Sequence, residues 1–381
     1  MKSETDVVII GAGVNGSALA YELAKRGKDV VVVDRKYIAA GATGRCGAGV
    51  RQQWSTKENA LLAKKSVEIF ERLNDELRAD IDFRQGGYLI AIHDEEEMKQ
   101  AKKNVEMQKS IGLPVRIIER EEIKEIVPIL DPDGMEAIAA TFCPTDGHAN
   151  PFKTAYAYAM AAMKHGATFY KFTEAKAIKT ENGRVKSVVT SRGEIKTKFV
   201  VNAAGAWSSV VAKMAGLEIP NKPVRKEALV TEPIKRIFDA MVISFRHGIY
   251  FSQMTHGQIL GGIPSPEEKV GYHTEPTFSF LQKMAYMLGK YAPALKHINI
   301  LRQWTGFYDV TPDALPILGK DDRLEGFIHC HGFSGHGFMI APMVARLLAQ
   351  LICDEKLDLP IDRLNVSRFK GKVVKEKSVV G

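Results

Sequence analysis

Two glycine-rich turns and a small-residue loop carry the chemistry this sequence could perform. Gly11-Ala12-Gly13-Val14-Asn15-Gly16 is a G-x-G-x-x-G turn, with Asp34 placed 18 residues beyond its last glycine. Gly11 permits a tight turn, Gly13 lets backbone amides approach a pyrophosphate, and Gly16 lets a helix pack on a strand. Asp34 can accept from ribose hydroxyls. The loop Ala40-Gly41-Ala42-Thr43-Gly44-Arg45-Cys46-Gly47-Ala48-Gly49 offers amides to another part of an extended ligand. Gly332-Phe333-Ser334-Gly335-His336-Gly337 then opens a segment from Phe338 and Met339 toward Cys353, with Met343, Leu347 and Leu351 at helical spacing. A helix N-terminus there supplies partial positive charge and free amides. Arg35, Ala175, Ala204, Gly205 and Trp207 complete the set of candidate cofactor-binding residues.

The elements that must position these turns follow from the apolar pattern. Asp6 to Ile10 reads as a buried strand, Ala18, Leu19 and Leu23 as a helix stopped by Gly27, and Asp29 to Val33 as a second strand. Strand, turn, helix, second strand and acid in register predict a dinucleotide site. Farther on, Thr173–Ile178, Val185–Thr190 and Ile195–Asn202 are separated by Asn182-Gly183 and Arg192-Gly193, a β-meander leading into Ala203-Ala204-Gly205-Ala206-Trp207. A meander in place of a helical crossover is unusual for an NAD domain. Strand patterns also cover 228–231, 241–245, 249–254 and 258–263.

Composition narrows the class. The 381 residues carry 53 Lys+Arg against 45 Asp+Glu, a net +8 that is spread thinly and argues against a nucleic-acid partner. Cys46, Cys143, Cys330 and Cys353 lie far apart, which speaks against a zinc site or a secreted disulfide framework and for a reducing compartment. Met339 to Cys353 is broken by Pro342, Arg346 and Gln350 and falls short of the roughly 20 residues a bilayer needs. A soluble, cytoplasmic protein is expected. His329, Cys330 and His331 are read as no metal site, with the two histidines on opposite faces of a strand over 327–331. Residues 366–381 read as a basic, solvated tail.

These motifs together resemble the D-amino-acid oxidase, glycine oxidase and sarcosine oxidase family of FAD-dependent amine oxidoreductases. The resemblance is carried by the Val7–Asp34 fingerprint, the Asn202–Trp207 turn, Thr311-Pro312-Asp313-x-x-Pro316-x-x-Gly319, and the Gly332–Phe338 turn. Within the family, Gly47-x-Gly49-Val50-Arg51-Gln52-Gln53 and Gly335–Met339 most resemble the β (catalytic) subunits of dye-linked L-proline dehydrogenases, with sarcosine oxidase β subunits next.

The resemblance implies an α/β plus α+β protein of two discontinuous domains. A Rossmann-like FAD domain of the glutathione-reductase type would gather 1–82, 146–218 and 319–365; a substrate domain on a mixed or antiparallel sheet would gather 83–145 and 219–318. It implies hydride transfer from the α-carbon of an amino or imino acid to flavin N5. L-proline is the favoured substrate, and sarcosine- or glycine-type oxidation with O2 stays open. Arg51 is the implied carboxylate clamp, a bidentate fork, the alternative being a surface or phosphate-binding arginine. Tyr250 matches a tyrosine placed on the substrate carboxylate, or else is an interior phenol. Lys226 stands where relatives carry a pocket histidine, with a plain surface lysine as the other reading. His336 is expected near the flavin.

Two departures bear on the acceptor and the clamp. Met339 replaces the lysine that monomeric sarcosine oxidases use, and Gln258–Ile263 lacks the lysine that assists reaction with O2. Electrons are therefore expected to pass to a dye, a quinone or a second flavin. Arg302–Gly306 has no cysteine for a covalent tether, so FAD is expected to be noncovalent. Hetero-oligomeric relatives pair with an α subunit and hold an FMN between subunits; that FMN, and a role as a subunit dependent on its partner, are left open.

Overall fold

The computed structural model describes residues 1–371, 375, 376 and 378. The strand Glu4–Ile10 lies at the centre of the first of two eight-stranded sheets, with strand order Ile317–Lys320, Phe327–His331, Gly193–Asn202, Glu4–Ile10, Val30–Val33, Thr168–Tyr170. All neighbours along this path are parallel except the edge strand Ile317–Lys320. Its central strands read as unbroken apolar runs because both faces are covered. Val7, Ile9, Val30 and Val32 join a core with four helices, while Val8, Ile10, Val31 and Val33 join a separate core under the meander.

The helix Val14–Lys25 follows the first glycine turn and packs on Pro151–Lys164 and on Gly337–Ile352. Gly27, at φ +78, ends it: its N–H reaches Ala24 O at 2.9 Å, and Lys28 N–H reaches Leu23 O at 3.1 Å. The meander is Ala175–Glu181, Arg184–Thr190 and Gly193–Asn202. Asn182 and Gly183 both have positive φ, as a two-residue hairpin turn requires. Its first strand runs past Ile178 to Glu181, because those exposed polar residues pair through backbone and leave no apolar signal.

The second sheet is ordered Ile300–Val310, Lys222–Pro233, Gln258–Gly262, Tyr250–Gln253, Met241–Ile243, Tyr88–Ile92, Ala139–Cys143, Arg116–Glu119. Sequence patterns left unread the strands Tyr88–Ile92, Arg116–Glu119, Ala139–Cys143 and Ile300–Val310, and the helix Phe278–Tyr291. The helix Phe278–Tyr291 buries Phe280, Met284, Leu288 and Tyr291 beneath the sheet, and Ile300–Val310 pairs along the length of Lys222–Pro233. A further two-stranded pairing, Gly49–Val50 with Gly147–His148, ties the segment after the small-residue loop to the returning chain.

The last long helix, Gly337–Ile352, runs through Pro342. There Ser66 Oγ of the neighbouring helix accepts the Met343 N–H at 3.2 Å, where the proline ring opens the ladder. Among the described residues no helix is long and apolar enough to cross a membrane.

The solvated tail is corrected for the residues described. Val366–Lys370 form a short helical turn, and Arg368 clamps the Asp313 carboxylate at 2.7 and 3.1 Å. Glu376 is fully buried and Ser378 nearly so. The basic composition hid this because the docking group is the one acid of the stretch, and an arginine already spent on Asp313 is not a free surface charge. Residues 372–374, 377 and 379–381 of that stretch lie outside the described residues.

The face assigned to the histidines is also corrected. His329 and His331 are two apart in the strand Phe327–His331, so they share one face, and His329 Nδ1 lies 2.8 Å from His331 Nε2. His329 Nε2 lies 2.9 Å from Asp321 Oδ2. This buried chain is a hydrogen-bonded network; among the described residues no group of three His, Cys, Asp or Glu side chains is arranged to hold a metal ion.

Candidate active site

A cavity of about 640 Å³ runs from the first glycine turn to the second sheet. At one end the strand Glu4–Ile10 delivers Gly11 at φ +117, and the chain turns directly into the helix Val14–Lys25. Gly16 sits on that turn: a Cβ there would lie 2.0 Å from Gly11 O and 3.3 Å from Ile9. Asp34, after Val30–Val33, closes the cradle by accepting Ala12 N–H at 2.8 Å and Lys36 N–H at 2.7 Å through different oxygens. Thr43 Oγ1 takes the Val14 N–H at 3.0 Å.

Almost all the residues singled out from the sequence line this cavity. Gly11, Gly13, Val14, Asn15, Asp34 and Arg35 do so, as do Gly41, Ala42, Thr43, Arg45, Cys46, Gly47, Ala48 and Gly49. Ala175, Ala204, Gly205, Trp207, Phe333, Gly335, His336, Gly337, Phe338 and Met339 join them, with Arg51, Lys226 and Tyr250. Three do not reach it. Gly16 packs the helix, Gly332 donates its N–H to Asp309 Oδ2 at 2.7 Å, and Ser334 Oγ takes the Thr311 N–H at 3.1 Å. Those last two residues brace the turn from behind. Gly335, at φ +92, lies so close to Tyr308 that a Cβ would stand 2.4 Å from its ring.

Several side chains stitch the two sheets together around the cavity. Arg45 Nη1 donates to Thr305 O at 2.7 Å and Trp304 Nε1 donates to Arg45 O at 3.0 Å. Arg35 lies 4.0 Å over the Trp207 ring, and Tyr272 stacks on the same ring at 5.3 Å.

At the other end Arg51 is only 2 % exposed. Its Nη1 donates to Gln53 O at 3.0 Å, its Nη2 to Ser378 O at 2.6 Å, and its guanidinium lies 4.4 Å over Trp54. Among the described residues it forms no ion pair. Burial pulls its pKa down, against the attraction of Tyr88, Asp146, Glu376 and Tyr308. Asp146 holds the segment behind it: it accepts from Gln52 N–H at 2.8 Å and from the Gln53 amide at 3.0 Å.

Tyr88, Tyr250 and Tyr308 line the same end. Burial raises all three phenols, Tyr308 to about 12, so each stays a neutral hydroxyl at neutral pH. His336 meets Trp54 edge to face at 4.7 Å; burial and then the Arg51 charge lower it to about 3, leaving a neutral imidazole. Lys226 is neither a plain surface lysine nor a free pocket cation. Its side chain is 13 % exposed and its Nζ pairs with Glu268 at 2.6 Å, which neutralises the charge.

Sequence reading missed Tyr88, Trp54, Tyr308, Asp309, Glu376 and Ser378. A signal existed for Tyr308 and Asp309 alone, which stand just before the Thr311-Pro312-Asp313 block. Burial raises the Asp309 carboxyl to about 7, although the Asn221 amide and Gly332 N–H favour its charge. The folded chain therefore keeps a proton that the unfolded chain releases near its ordinary pKa of about 3.9. Stability from this group is present at low pH and lost as pH rises from about 4 to about 7, on the order of 4 kcal/mol in total. Asp309→Asn is expected to abolish that component. The urea midpoint of the wild type should fall relative to the variant between pH 5 and pH 8; a constant gap would contradict it.

The fold and these glycine turns place the chain in a class. It belongs to the DAO family of FAD-dependent oxidoreductases, whose family model matches residues 6–351. It is 30% identical over 387 residues to the sarcosine oxidase subunit beta of Rhodobacter capsulatus, covering 100% of this chain and 92% of that one. Glycine oxidase of Geobacillus kaustophilus is 27% identical over 384 residues, 98% of this chain and 99% of that one. The crystal structure of L-proline dehydrogenase from P. horikoshii matches with a TM-score of 0.93 at 42% identity, covering 97% of this chain and 99% of that chain.

The residues present fit FAD. Glycine and alanine backbone walls the end beside the helix N-terminus, where anions are favoured. Asn15 bridges to Gly337 O through Nδ2 at 3.1 Å, while its Oδ1 is buried with no partner among the described residues, an acceptor ready for a ligand hydroxyl.

Proposed function

We propose that this chain oxidises a secondary amino acid, L-proline before sarcosine, as an FAD-dependent dehydrogenase. The carrying observation is Arg51, a buried cation on the cavity wall that is oriented by two neutral carbonyls and, among the described residues, by no carboxylate. A buried charge is costly without a partner, and the α-carboxylate of a substrate supplies one.

The layer on the first sheet (1–82, 146–218, 319–365) is assigned to FAD and that on the second (83–145, 219–318) to substrate. Bound FAD supplies the two-electron acceptor. Arg51 binds the carboxylate, and Tyr250 and Tyr308 offer neutral hydroxyls that donate to it. Met241 and Ile243 supply the apolar wall that a pyrrolidine ring favours. The Arg51 charge also lowers the pKa of a neighbouring substrate ammonium, favouring the neutral amine from which the α-hydrogen leaves. Neutral His336 stacks edge-on against Trp54 and keeps a second positive charge away from that amine. The N-terminus of Gly337–Ile352 faces the cavity with the polarity that stabilises an electron-rich ring.

Noncovalent FAD is supported by the thiols of Cys46 and Cys330. Both line the cavity, and burial raises them to about 11 and about 12, so neither offers a thiolate at neutral pH. Transfer to a dye, quinone or second flavin is favoured over O2 because Lys226 is already paired with Glu268 and Gln258–Ile263 contains no lysine. The match to an enzyme named as a subunit favours a hetero-oligomer with an α-type chain, and an FMN at that interface belongs to the same reading. A cytoplasmic location is supported by four unpaired cysteines.

Anaerobic addition of L-proline, sarcosine and glycine tests the assignment. Bleaching of the flavin band by L-proline, with slow recovery in air and fast recovery with dye, is expected. Bleaching by glycine or sarcosine with fast recovery in air would favour the oxidase reading, which the similarity to glycine oxidase supports. No bleaching by any of the three, restored on adding an α-type partner, would make the chain a partner-dependent flavin subunit.

A further inference from the structure

We infer that the segment bearing Glu376 and Ser378 is a built-in strap that docks on the substrate end of the cavity and positions Arg51 for a carboxylate ligand. The docking is through a carboxylate with a complete set of donors. Glu376 accepts from Ser55 N–H at 3.0 Å, Thr56 Oγ1 at 2.8 Å, Asn59 Nδ2 at 2.9 Å and Ser378 N–H at 2.9 Å, and also from the Ser55 hydroxyl. Its own N–H donates to Asp313 O at 3.1 Å. Glu376 is 0 % exposed, so this is an interior contact and not a resting place on the surface. It sits where the helix Lys57–Leu77 begins, an end that favours negative charge. Burial opposes the charge, but these hydrogen bonds hold the carboxyl below its ordinary range.

The consequence reaches Arg51 one turn of hydrogen bonds away. Ser378 N–H is fixed by Glu376, and Ser378 O takes Arg51 Nη2 at 2.6 Å. Gln53 O takes Nη1 at 3.0 Å. Two carbonyls thus fix the plane of the fork while leaving its full positive charge for a ligand, which a carboxylate in the same place would not do. Glu376 acts through Ser378 and is a positioning residue. Charge and shape together explain why the acid is buried in a segment that is otherwise basic.

The effect on ligand binding rests on the carboxylate reading of Arg51 given above; the docking does not. The test compares FAD-loaded full-length chain, Glu376→Gln, and a chain stopped after Gly371. Hydrogen exchange is read on the peptide spanning 51–60, with the peptide spanning 8–17 as control. Binding of pyrrole-2-carboxylate is read from the flavin spectrum. Both altered chains are expected to exchange faster over 51–60 and unchanged over 8–17, and to bind pyrrole-2-carboxylate about tenfold more weakly, the loss of one charge-assisted hydrogen bond. Oxidation of pyrrolidine, which has no carboxylate, should stay within about twofold in kcat/KM, a split that general destabilisation would not give. Unchanged exchange over 51–60 would overturn the docking. Faster exchange with unaltered pyrrole-2-carboxylate affinity would overturn the positioning of Arg51. Faster exchange in a protein whose full-length form binds no carboxylate would leave the strap docked and overturn the carboxylate reading, and with it the positioning role.

Discussion

Replacing Gly13 with valine is expected to give a folded protein that no longer holds FAD. Gly13 has ordinary extended backbone, φ −73 and ψ −178, which valine adopts without strain. A Cβ there meets only Thr43 Oγ1, at 3.2 Å, so the surrounding protein can accept it with a small shift. The branched side chain instead takes up room in the wall where backbone must approach a pyrophosphate. Overpacking of this kind costs about 1–3 kcal/mol, and lost amide contacts add to it, so FAD affinity should fall about hundredfold or more. The expected readout is a colourless preparation with the far-ultraviolet circular dichroism and urea midpoint of the wild-type apoprotein. Gly16→Val is the contrasting control. Its Cβ would stand 2.0 Å from Gly11 O, so that variant should fail to fold. Full FAD occupancy of Gly13→Val after dilution would remove Gly13 from the cradle.

Arg51→Gln is expected to lower kcat/KM for L-proline about hundredfold and that for pyrrolidine by less than about tenfold, since pyrrolidine loses only the effect of the charge on its ammonium. A bidentate guanidinium–carboxylate contact contributes two charge-assisted hydrogen bonds, each about 1.5–3 kcal/mol. Part of that is offset because removing the guanidinium also removes a buried charge, and the carbonyls of Gln53 and Ser378 can still bond a glutamine amide. The comparison of the two substrates isolates the carboxylate term from any general loss of fit. An equal fall for both would show that Arg51 supports the wall and does not bind the carboxylate.

What the sequence determined by itself is the cofactor end of the molecule. Strand, glycine turn, helix and acid are contiguous over 6–34, so their contacts are local and the pattern of residue types specifies them. The buried runs at Val7–Ile10 and Val30–Val33 were legible because every residue of them is apolar, alternating between two cores. The hairpin at Asn182-Gly183 was legible because only a positive-φ pair closes it. The end proposed to bind substrate was decided by tertiary structure. Arg51, Tyr88, Tyr250, Tyr308 and Ser378 come from five separate stretches, and no spacing rule links them. Lys226 shows the same limit: whether it is a pocket cation depends on Glu268, 42 residues away in the chain. Glu376 shows it most plainly. In the sequence it is one acid in a basic stretch; in the fold, donors from Ser55, Thr56 and Asn59 converge on it, because burial of a carboxylate depends on which hydrogen bonds the folded chain can bring to it.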